Sequence, residues 1–202
     1  MFASMFFSFQ NERKEETRKL LLNSAVENFS KYGFHGVSID KLTEYAGFSK
    51  GAFYAHFHSK EEIFLALLEQ QMQLYVEKIN ALIEEQPSLL HFSEKMNQQS
   101  IQSREENRTW SLLNMEFLLY SMRNEEVRCQ WSNMILQSVK QISQSLENLM
   151  KKENLTCALS SEEMAWAILS LENGVAIFHY ISQDHIPIDL LEKSLKRIIS
   201  YK

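Results

Sequence analysis

Helix-breaking residues are scarce in this sequence, and their scarcity limits the folds that the chain can adopt. Five glycines and two prolines occur in 202 residues, whereas these two residue types make up about 12% of an average protein. Leu, Glu, Gln, Lys and Met, which favour helices, fill the segments between them. The composition therefore predicts an all-α protein whose few glycines and prolines mark the ends of helices.

The first part of the chain contains four predicted helices, each with its own boundary signal. Apolar residues recur at helical spacing over 11–33, and Gly33 ends that helix. Two short helices follow, one capped by Ser38 and the other by Ser49. Ser59 and Glu62 form a capping box that begins a long amphipathic helix.

The rest of the chain is predicted to be helical throughout. Pro87 ends one helix, Ser88 starts the next, and Ser160 with Glu163 forms a second capping box. Further apolar periodicity predicts helices over 105–122, 125–153, 161–182 and 188–201. The apolar start "MFASMFFSFQ" is too short for a membrane span and lacks a basic leader, so we interpret it as a loose arm.

Two features point to a cytoplasmic protein without a membrane segment. The apolar run over 165–181 contains Glu172, Asn173 and His179, which are unfavourable in a bilayer, so a buried helix of a soluble protein is expected. Cys129 and Cys157 are too few for a disulfide framework and are interpreted as reduced thiols.

The stretch "GFSKGAFYAHFHSKEEI", residues 47–63, combines glycines, aromatic residues and cations. Two short helices joined by "YAGFS" form a candidate helix-turn-helix, in which Gly47 supplies the tight turn. Gly51 and Ala52 have little or no side chain, so the start of the second helix can approach a DNA groove closely. Lys50 and the backbone amides there are groups that bind phosphates. The stretch therefore predicts a DNA-binding element.

The segment "SIDKLTEYAGFSKGAFYAHFHSKEEIF" resembles the DNA-binding motif of TetR-family transcriptional regulators over about 27 residues. The upstream "AVENFSKYGFHGVS" is also similar to the first helix and loop of that family. Thr43 stands where alanine is commonest, and its hydroxyl is expected to reach a phosphate. The residues predicted to contact DNA are Ser38, Thr43, Ser49, Lys50, Gly51, Ala52, Tyr54, His56 and Lys60.

Residues 11–62 carry no net positive charge, so DNA binding is expected to depend on where individual cations lie and not on the total charge. Residues 11–62 carry eight basic and eight acidic side chains, so the net charge of −5 lies in the rest of the chain. The usual strongly basic footprint of a DNA-binding domain is therefore missing.

The resemblance also implies two domains and a homodimer. It predicts a helix-turn-helix DNA-binding domain over 11–58 and a helical effector-binding and dimerisation domain over 59–202. The last two helices are expected to pair with their copies in a four-helix interface. Suitable interface residues, which an ordinary intrachain core would equally explain, are Ala165, Ile168, Leu169, Leu171, Gly174, Val175, Phe178, Leu191, Leu195 and Ile198.

The resemblance further implies a pocket for a small lipophilic effector between the middle helices. Aromatic and methionine side chains suit such a ligand, although any of them could instead fill the core. Glu116 is interpreted as a solvated position or a partner for a cationic ligand, and Glu172 and His179 as rim or paired groups. The candidate lining residues are Trp110, Leu113, Asn114, Phe117, Trp131 and Met134.

Two other classes of protein were weighed against a ligand-released repressor. An enzyme is not favoured, because the sequence shows neither a Ser-His-Asp order nor a phosphate-binding glycine loop. No catalytic residue, cofactor or metal site is predicted, since His56 and His58 lack a third ligand at helical spacing. A helical small-molecule-binding protein of the same fold without DNA binding stays an alternative.

Overall fold

The computed structural model describes the backbone of residues 2–182 and 185–198, and the side chains of residues 11–103, 108–182 and 185–198. Over these residues the chain forms α-helices and no β-strand, which confirms the all-α prediction. The helices are α1 (Phe2–Tyr32), α2 (Ile39–Ala46), α3 (Lys50–Tyr54), α4 (Lys60–Glu85), α5 (Leu89–Gln102), α6 (Arg104–Ser121), α7 (Glu125–Glu153), α8 (Ser161–Ser182) and α9 (Leu190–Ile198).

The two predicted capping boxes differ in completeness. At the start of α8, the Ser160 hydroxyl accepts from the Glu163 amide at 3.2 Å, and the Glu163 carboxylate accepts from the Ser160 amide at 2.8 Å. At the start of α4, the Ser59 hydroxyl accepts from the Glu62 amide at 3.1 Å. The Glu62 carboxylate, however, accepts from the His58 amide, so this box is formed in one direction only.

The amino-terminal arm is helical, which corrects the prediction of a loose segment. Residues 2–10 continue the helical backbone of α1 without a break. The physical reason is that no glycine or proline precedes Gly33, so nothing interrupts the helix towards its amino terminus. The side chains of residues 1–10 lie outside the described residues.

The chain divides into two compact units, Met1–Glu69 and Gln70–Lys202. The sequence placed the boundary at 58/59, whereas the division falls inside α4. The first turns of α4 belong to the first unit because Ile63 and Phe64 are fully buried there. The ring of Phe64 lies 4.9 Å from that of Phe29 in α1, in an edge-to-face arrangement.

Aromatic side chains dominate the core of the first unit. Phe34, in the loop after α1, lies with its ring centroid 5.1 Å from Phe64 and 5.9 Å from Phe29. Phe53 of α3 and Phe57 after it are also buried, with ring centroids 5.8 Å apart. Since burying one such side chain contributes about 1.5–3 kcal/mol, these five rings provide much of the stability of this small unit.

The core of the second unit is built around α8. This helix packs against α6, α7 and α9, while α5 packs against α6 and α9. The buried side chains that α8 contributes to this core are Met164, Ala165 and Ile168, and α9 contributes Leu191 and Leu195. Among the described helices, α8 alone is long and apolar enough, by length and composition, to cross a membrane.

Half of the residues predicted for the dimer interface lie inside the subunit. Ala165, Ile168, Leu191 and Leu195 are at most 2% exposed, because these positions lie on the faces of α8 and α9 that turn towards the core. Val175 is 7% exposed and borders the groove between these helices. A neighbouring stripe remains accessible and forms an apolar groove between the two helices. It is lined by Ala167, Ser170, Leu171, Gly174, Val175, Phe178, Ile186, Leu190, Lys193, Ser194, Arg197 and Ile198.

Glu172 lies on the core side of α8, which corrects its prediction as a rim or paired group. It follows buried Ile168 by four residues and precedes buried Val175 by three, the spacings that share a helix face. Part of the residue is exposed, but its carboxyl is sufficiently enclosed that burial raises its pKa to about 8. No described residue compensates for this burial with a hydrogen bond or an ion pair.

The buried carboxyl of Glu172 predicts a pH-dependent stability. Its folded pKa of about 8 exceeds the ordinary value of 4.5, so the folded state holds the proton more tightly and stability falls as the pH rises between these values. We expect the melting temperature of Glu172→Gln to match that of the wild type near pH 4 and to exceed it increasingly up to about pH 8.5.

A matched control for this measurement is Glu162→Gln, which changes an exposed glutamate in the first turn of α8. It should leave the pH dependence of the melting temperature as in the wild type. A Glu172→Gln protein whose melting temperature follows that of the wild type at every pH would contradict the assignment of a buried, unpaired carboxyl.

Candidate nucleic-acid interface

Gly47, whose backbone adopts the left-handed conformation, sets the angle between α2 and α3. Gly47 has φ 72°, in the region that side chains other than glycine rarely adopt. The Gly47 amide donates to the Glu44 carbonyl at 3.2 Å and the Phe48 amide donates to the Thr43 carbonyl at 2.9 Å, the pair of bonds that ends a helix in a Schellman motif. The chain therefore reverses within a few residues and starts α3 directly afterwards.

The start of α3 is capped by Ser49 and has no side chain at Gly51. The Ser49 hydroxyl accepts from the Ala52 amide at 3.2 Å. Gly51 is exposed, and a Cβ atom at this position would meet only the Ser49 hydroxyl, at 3.6 Å. Space inside the protein therefore does not require a glycine at position 51. Because Gly51 is exposed and has no side chain, another molecule can approach the helix backbone closely at this position.

Lys50 is held at the edge of this surface by an ion pair across the turn. Its Nζ lies 2.7 Å from Oδ1 of Asp40, in the first turn of α2, and both side chains are more than half exposed. The hydrogen bond and charge of Asp40 raise the pKa of Lys50, so its ammonium group stays charged. Sequence analysis did not single out Asp40, because spacing within one helix gives no sign of a pair between two helices.

The two predicted side chains at the end of the motif differ in exposure and charge. Tyr54 is 49% exposed, while its neighbour Phe53 is fully buried. His56 is partly buried, and burial first, then Lys14 and Arg18, lower its pKa. A neutral imidazole donates one hydrogen bond and accepts another, but it adds no positive charge for a phosphate.

Thr43 does not lie on the accessible surface, contrary to the prediction of a phosphate contact. It is 4% exposed, and its hydroxyl donates to the Asp40 carbonyl at 3.0 Å. The position faces the inside of the unit, one residue after fully buried Leu42. Burial therefore excludes a direct contact with DNA in this conformation, and Thr43 packs where the related motifs have alanine.

Lys60 is engaged inside the unit. Its Nζ donates to the carbonyl oxygen of Phe34 at 2.9 Å and lies 4.3 Å from the centroid of the Phe34 ring. These contacts attach the first turn of α4 to the loop after α1. A phosphate contact by the same ammonium group stays a prediction, and it would have to share or replace the bond to Phe34.

Four of the predicted residues form one accessible surface around the start of α3. Ser49, Lys50, Gly51 and Tyr54 are exposed and lie within one and a half helical turns. Ser38 caps α2 by accepting from the Lys41 amide at 3.2 Å and is also exposed. Free amides at a helix start, one cation, one phenol and a glycine are groups that bind phosphates and base edges.

The predicted effector residues lie in α6 and α7, and several of them pack against one another. The rings of Phe117 and Trp131 stack with centroids 5.2 Å apart, and both side chains are at most 7% exposed. Leu113 is also buried, whereas Trp110, Asn114 and Met134 are partly exposed. Within the described residues, no group of three or more His, Cys, Asp or Glu side chains is placed to hold a metal ion.

Comparison with known families and proteins agrees with this site. Residues 21–67, which include all of α2 and α3, match the family described as bacterial regulatory proteins, tetR family. The HTH-type transcriptional regulator UidR of Escherichia coli strain K12 is 26% identical over 161 residues, which cover 80% of each chain. The resemblance found in the sequence is thereby confirmed.

Solved structures share the fold over nearly the whole chain. The reduced form of Escherichia coli NemR gives a TM-score of 0.73 at 23% identity, covering 92% of this chain and 98% of the other. FadR of Bacillus subtilis, in complex with stearoyl-CoA, gives a TM-score of 0.68 at 15% identity, covering 90% and 97%. At these identities the likeness concerns the fold alone.

The two glycines of the motif predict opposite effects of the same substitution. Gly47→Ala forces a Cβ atom into the left-handed region and should lower the free energy of unfolding by about 1–2 kcal/mol. Gly51→Ala adds a Cβ atom where there is room and should leave it unchanged or raise it by up to about 1 kcal/mol. Urea denaturation of both variants measures these values. Equal destabilisation of the two variants would show that the turn does not depend on φ at Gly47.

Proposed function

We propose that this chain, whose residues 21–67 match the family of bacterial regulatory proteins, tetR family, is a homodimeric, cytoplasmic repressor that a small lipophilic effector releases from a palindromic operator. The observation that carries this proposal is the accessible surface of α3, with exposed Lys50, Gly51 and Tyr54 beside a capped helix start. The surface has the groups that DNA recognition needs.

DNA binding is proposed to depend on a few local contacts. The start of α3 enters the major groove, where Tyr54 contacts the backbone or a base edge and the amides at the helix start face a phosphate. Lys50 leaves Asp40 or shares its charge with it when a phosphate approaches. An exposed ion pair of this kind contributes at most about 1 kcal/mol, so the exchange is inexpensive.

Substitutions on this surface should weaken DNA binding without affecting folding. Tyr54→Ala removes a half-exposed side chain, and Lys50→Ala removes one cation, so both variants should melt like the wild type and bind the operator less tightly. Lys50→Ala should also lower the slope of log affinity against log salt by about one. Fluorescence anisotropy with a labelled operator over a salt series measures both quantities.

The matched control is Lys140→Ala, which removes an exposed lysine from α7. It should change neither the affinity nor the salt slope. If Tyr54→Ala and Lys50→Ala both bind like the wild type, these residues do not contact DNA. If the wild-type protein itself shows no salt-dependent DNA binding, the alternative of a helical ligand-binding protein without DNA binding is favoured.

The proposed dimer forms through the groove between α8 and α9. Phe178, which lines this groove, is 62% exposed, and Ile181 near the end of α8 and Ile188 just before α9 are 69% and 62% exposed. An apolar groove with large exposed side chains at and near it is typical of an interface. A two-fold dimer also presents two copies of α3, which is why the operator is proposed to be palindromic.

A charge placed in this groove should separate the subunits. Phe178→Glu puts a carboxylate at the centre of the proposed interface while leaving the core of the subunit intact. We expect a folded monomer by sedimentation velocity and circular dichroism, with strongly reduced operator affinity. Leu136→Glu, at a position 51% exposed on α7, serves as the control and should stay dimeric. A wild-type chain that sediments as a monomer at micromolar concentration would contradict the proposed dimer.

The proposed effector site lies between α6, α7 and α8. The aromatic pair of Phe117 and Trp131 offers a large apolar contact surface, and a related fold in FadR holds stearoyl-CoA. Since α4 belongs to both compact units, a ligand that changes its tilt would change the spacing of the two copies of α3. Release requires that the effector bind the free form more tightly than the DNA-bound form.

A further inference from the structure

The carboxyl group of Glu172 has no role in the core, in the dimer groove or in DNA binding. It lies halfway along α8, between buried Ile168 and Val175 on the same helix face. A buried carboxylate without a partner is costly, and so is a carboxyl that must stay protonated at neutral pH. A leucine or glutamine would fill the same volume more favourably, so a partner from outside the chain would compensate for the cost of this carboxyl.

A hydrogen bond between α7 and α8 fixes the height at which Glu172 lies. The hydroxyl groups of Ser143 and Ser161 are 2.9 Å apart, and a short link joins the two helices, which therefore run antiparallel. Eleven residues make about three turns of an α-helix, so two residues that are eleven positions apart lie on nearly the same face. Eleven residues after Ser161 is Glu172, and eleven before Ser143 is Ser132.

The register therefore brings Glu172 to the level of the stacked aromatic pair. Ser132 follows Trp131 directly, and the Trp131 ring stacks on that of Phe117 from α6 with centroids 5.2 Å apart. Both α6 and α7 pack against α8. By this register, one carboxyl group and two large aromatic side chains lie at about the same height along the three helices of the proposed effector site.

The positive groups that the structure brings to α8 do not neutralise this carboxyl. Arg108 of α6 lies over the ring of Tyr180, at 5.9 Å from its centroid, about two turns further along α8. Burial is the cause of the raised pKa of Glu172, with no contribution from a charged neighbour. Among the described residues, the site therefore offers a negative or proton-bearing group and aromatic faces, and no compensating cation.

We propose that the effector is an organic cation, an apolar molecule with an ammonium group that pairs with Glu172 beside Phe117 and Trp131. This inference rests on the proposed effector site and names the class of ligand that it takes. Aromatic faces attract a cation through their quadrupole, and a desolvated carboxylate adds a direct charge pair. A ligand carboxylate would place a second negative charge against that of Glu172, and a hydrocarbon without a polar group would leave Glu172 without a partner.

The test uses three small probes of similar shape and different charge. Benzyltriethylammonium is the cation, benzyltriethylsilane is its uncharged isostere, and phenylbutyrate is an anion of similar size. Quenching of tryptophan fluorescence on titration into the full-length protein gives each affinity. We expect the cation to bind at least about tenfold more tightly than the other two, as a desolvated cation–aromatic contact and a charge pair together imply.

Variants of Glu172 then assign that preference to one side chain. Glu172→Gln should lower the affinity for the cation by about tenfold or more and leave that for the isostere unchanged, while Glu172→Asp should keep the preference in part. Glu162→Gln, at the exposed start of α8, should behave like the wild type. Circular dichroism and melting curves verify that each variant is folded.

The outcomes separate this inference from the proposed repressor function. Equal affinity for the cation and the isostere, a preference that survives Glu172→Gln, or no binding of the cation up to millimolar concentration would each overturn the inference. Operator affinity is measured in the same samples. Cation binding that depends on Glu172 without release of DNA would uphold the ligand class and refute the release mechanism. Release of DNA by the isostere and not by the cation would uphold the release mechanism and refute the ligand class.

Discussion

The buried contact between Phe29, Phe34 and Phe64 is the interaction on which the first unit depends. It joins α1, the loop that follows it and the first turns of α4, with ring centroids between 4.9 and 5.9 Å apart. The two contacts of Phe64 are edge-to-face, and such contacts favour one arrangement of the rings. Because these elements are fixed, α2 and α3 are carried on a rigid support, and the left-handed turn at Gly47 determines how α3 projects from it.

The second unit is organised around a different constraint, namely the use of two adjacent sides of α8. One side packs into the subunit core through Met164, Ala165 and Ile168, and an adjacent side forms the apolar groove with Phe178. Glu172 lies on the core side, where aliphatic residues would be more stable. A helix that serves the core, the proposed dimer and the proposed effector site together offers a physical route by which ligand binding reaches the assembly.

Local rules made much of this fold predictable from the sequence. Ser38, Ser49 and Ser88 cap helices as predicted, because a cap is made by residues only a few positions apart. Gly47 ends α2 for the same reason. Contacts between helices were not accessible in this way. The pairing of Lys50 with Asp40 and the burial of Thr43 depend on how α2 packs, and no spacing within one segment encodes it. The same limit explains why interface residues such as Ile168 were found in the core.

Selection of bound DNA from a random pool, with the wild-type protein at micromolar concentration, tests the central claim most directly. A homodimer that presents two copies of α3 predicts enrichment of an inverted repeat whose half-sites are centred about one turn of DNA apart or a multiple of it. The same selection with Phe178→Glu should lose the paired half-sites. A pool that shows no enriched sequence, or a single half-site without a symmetric partner, would contradict a dimeric operator-binding regulator.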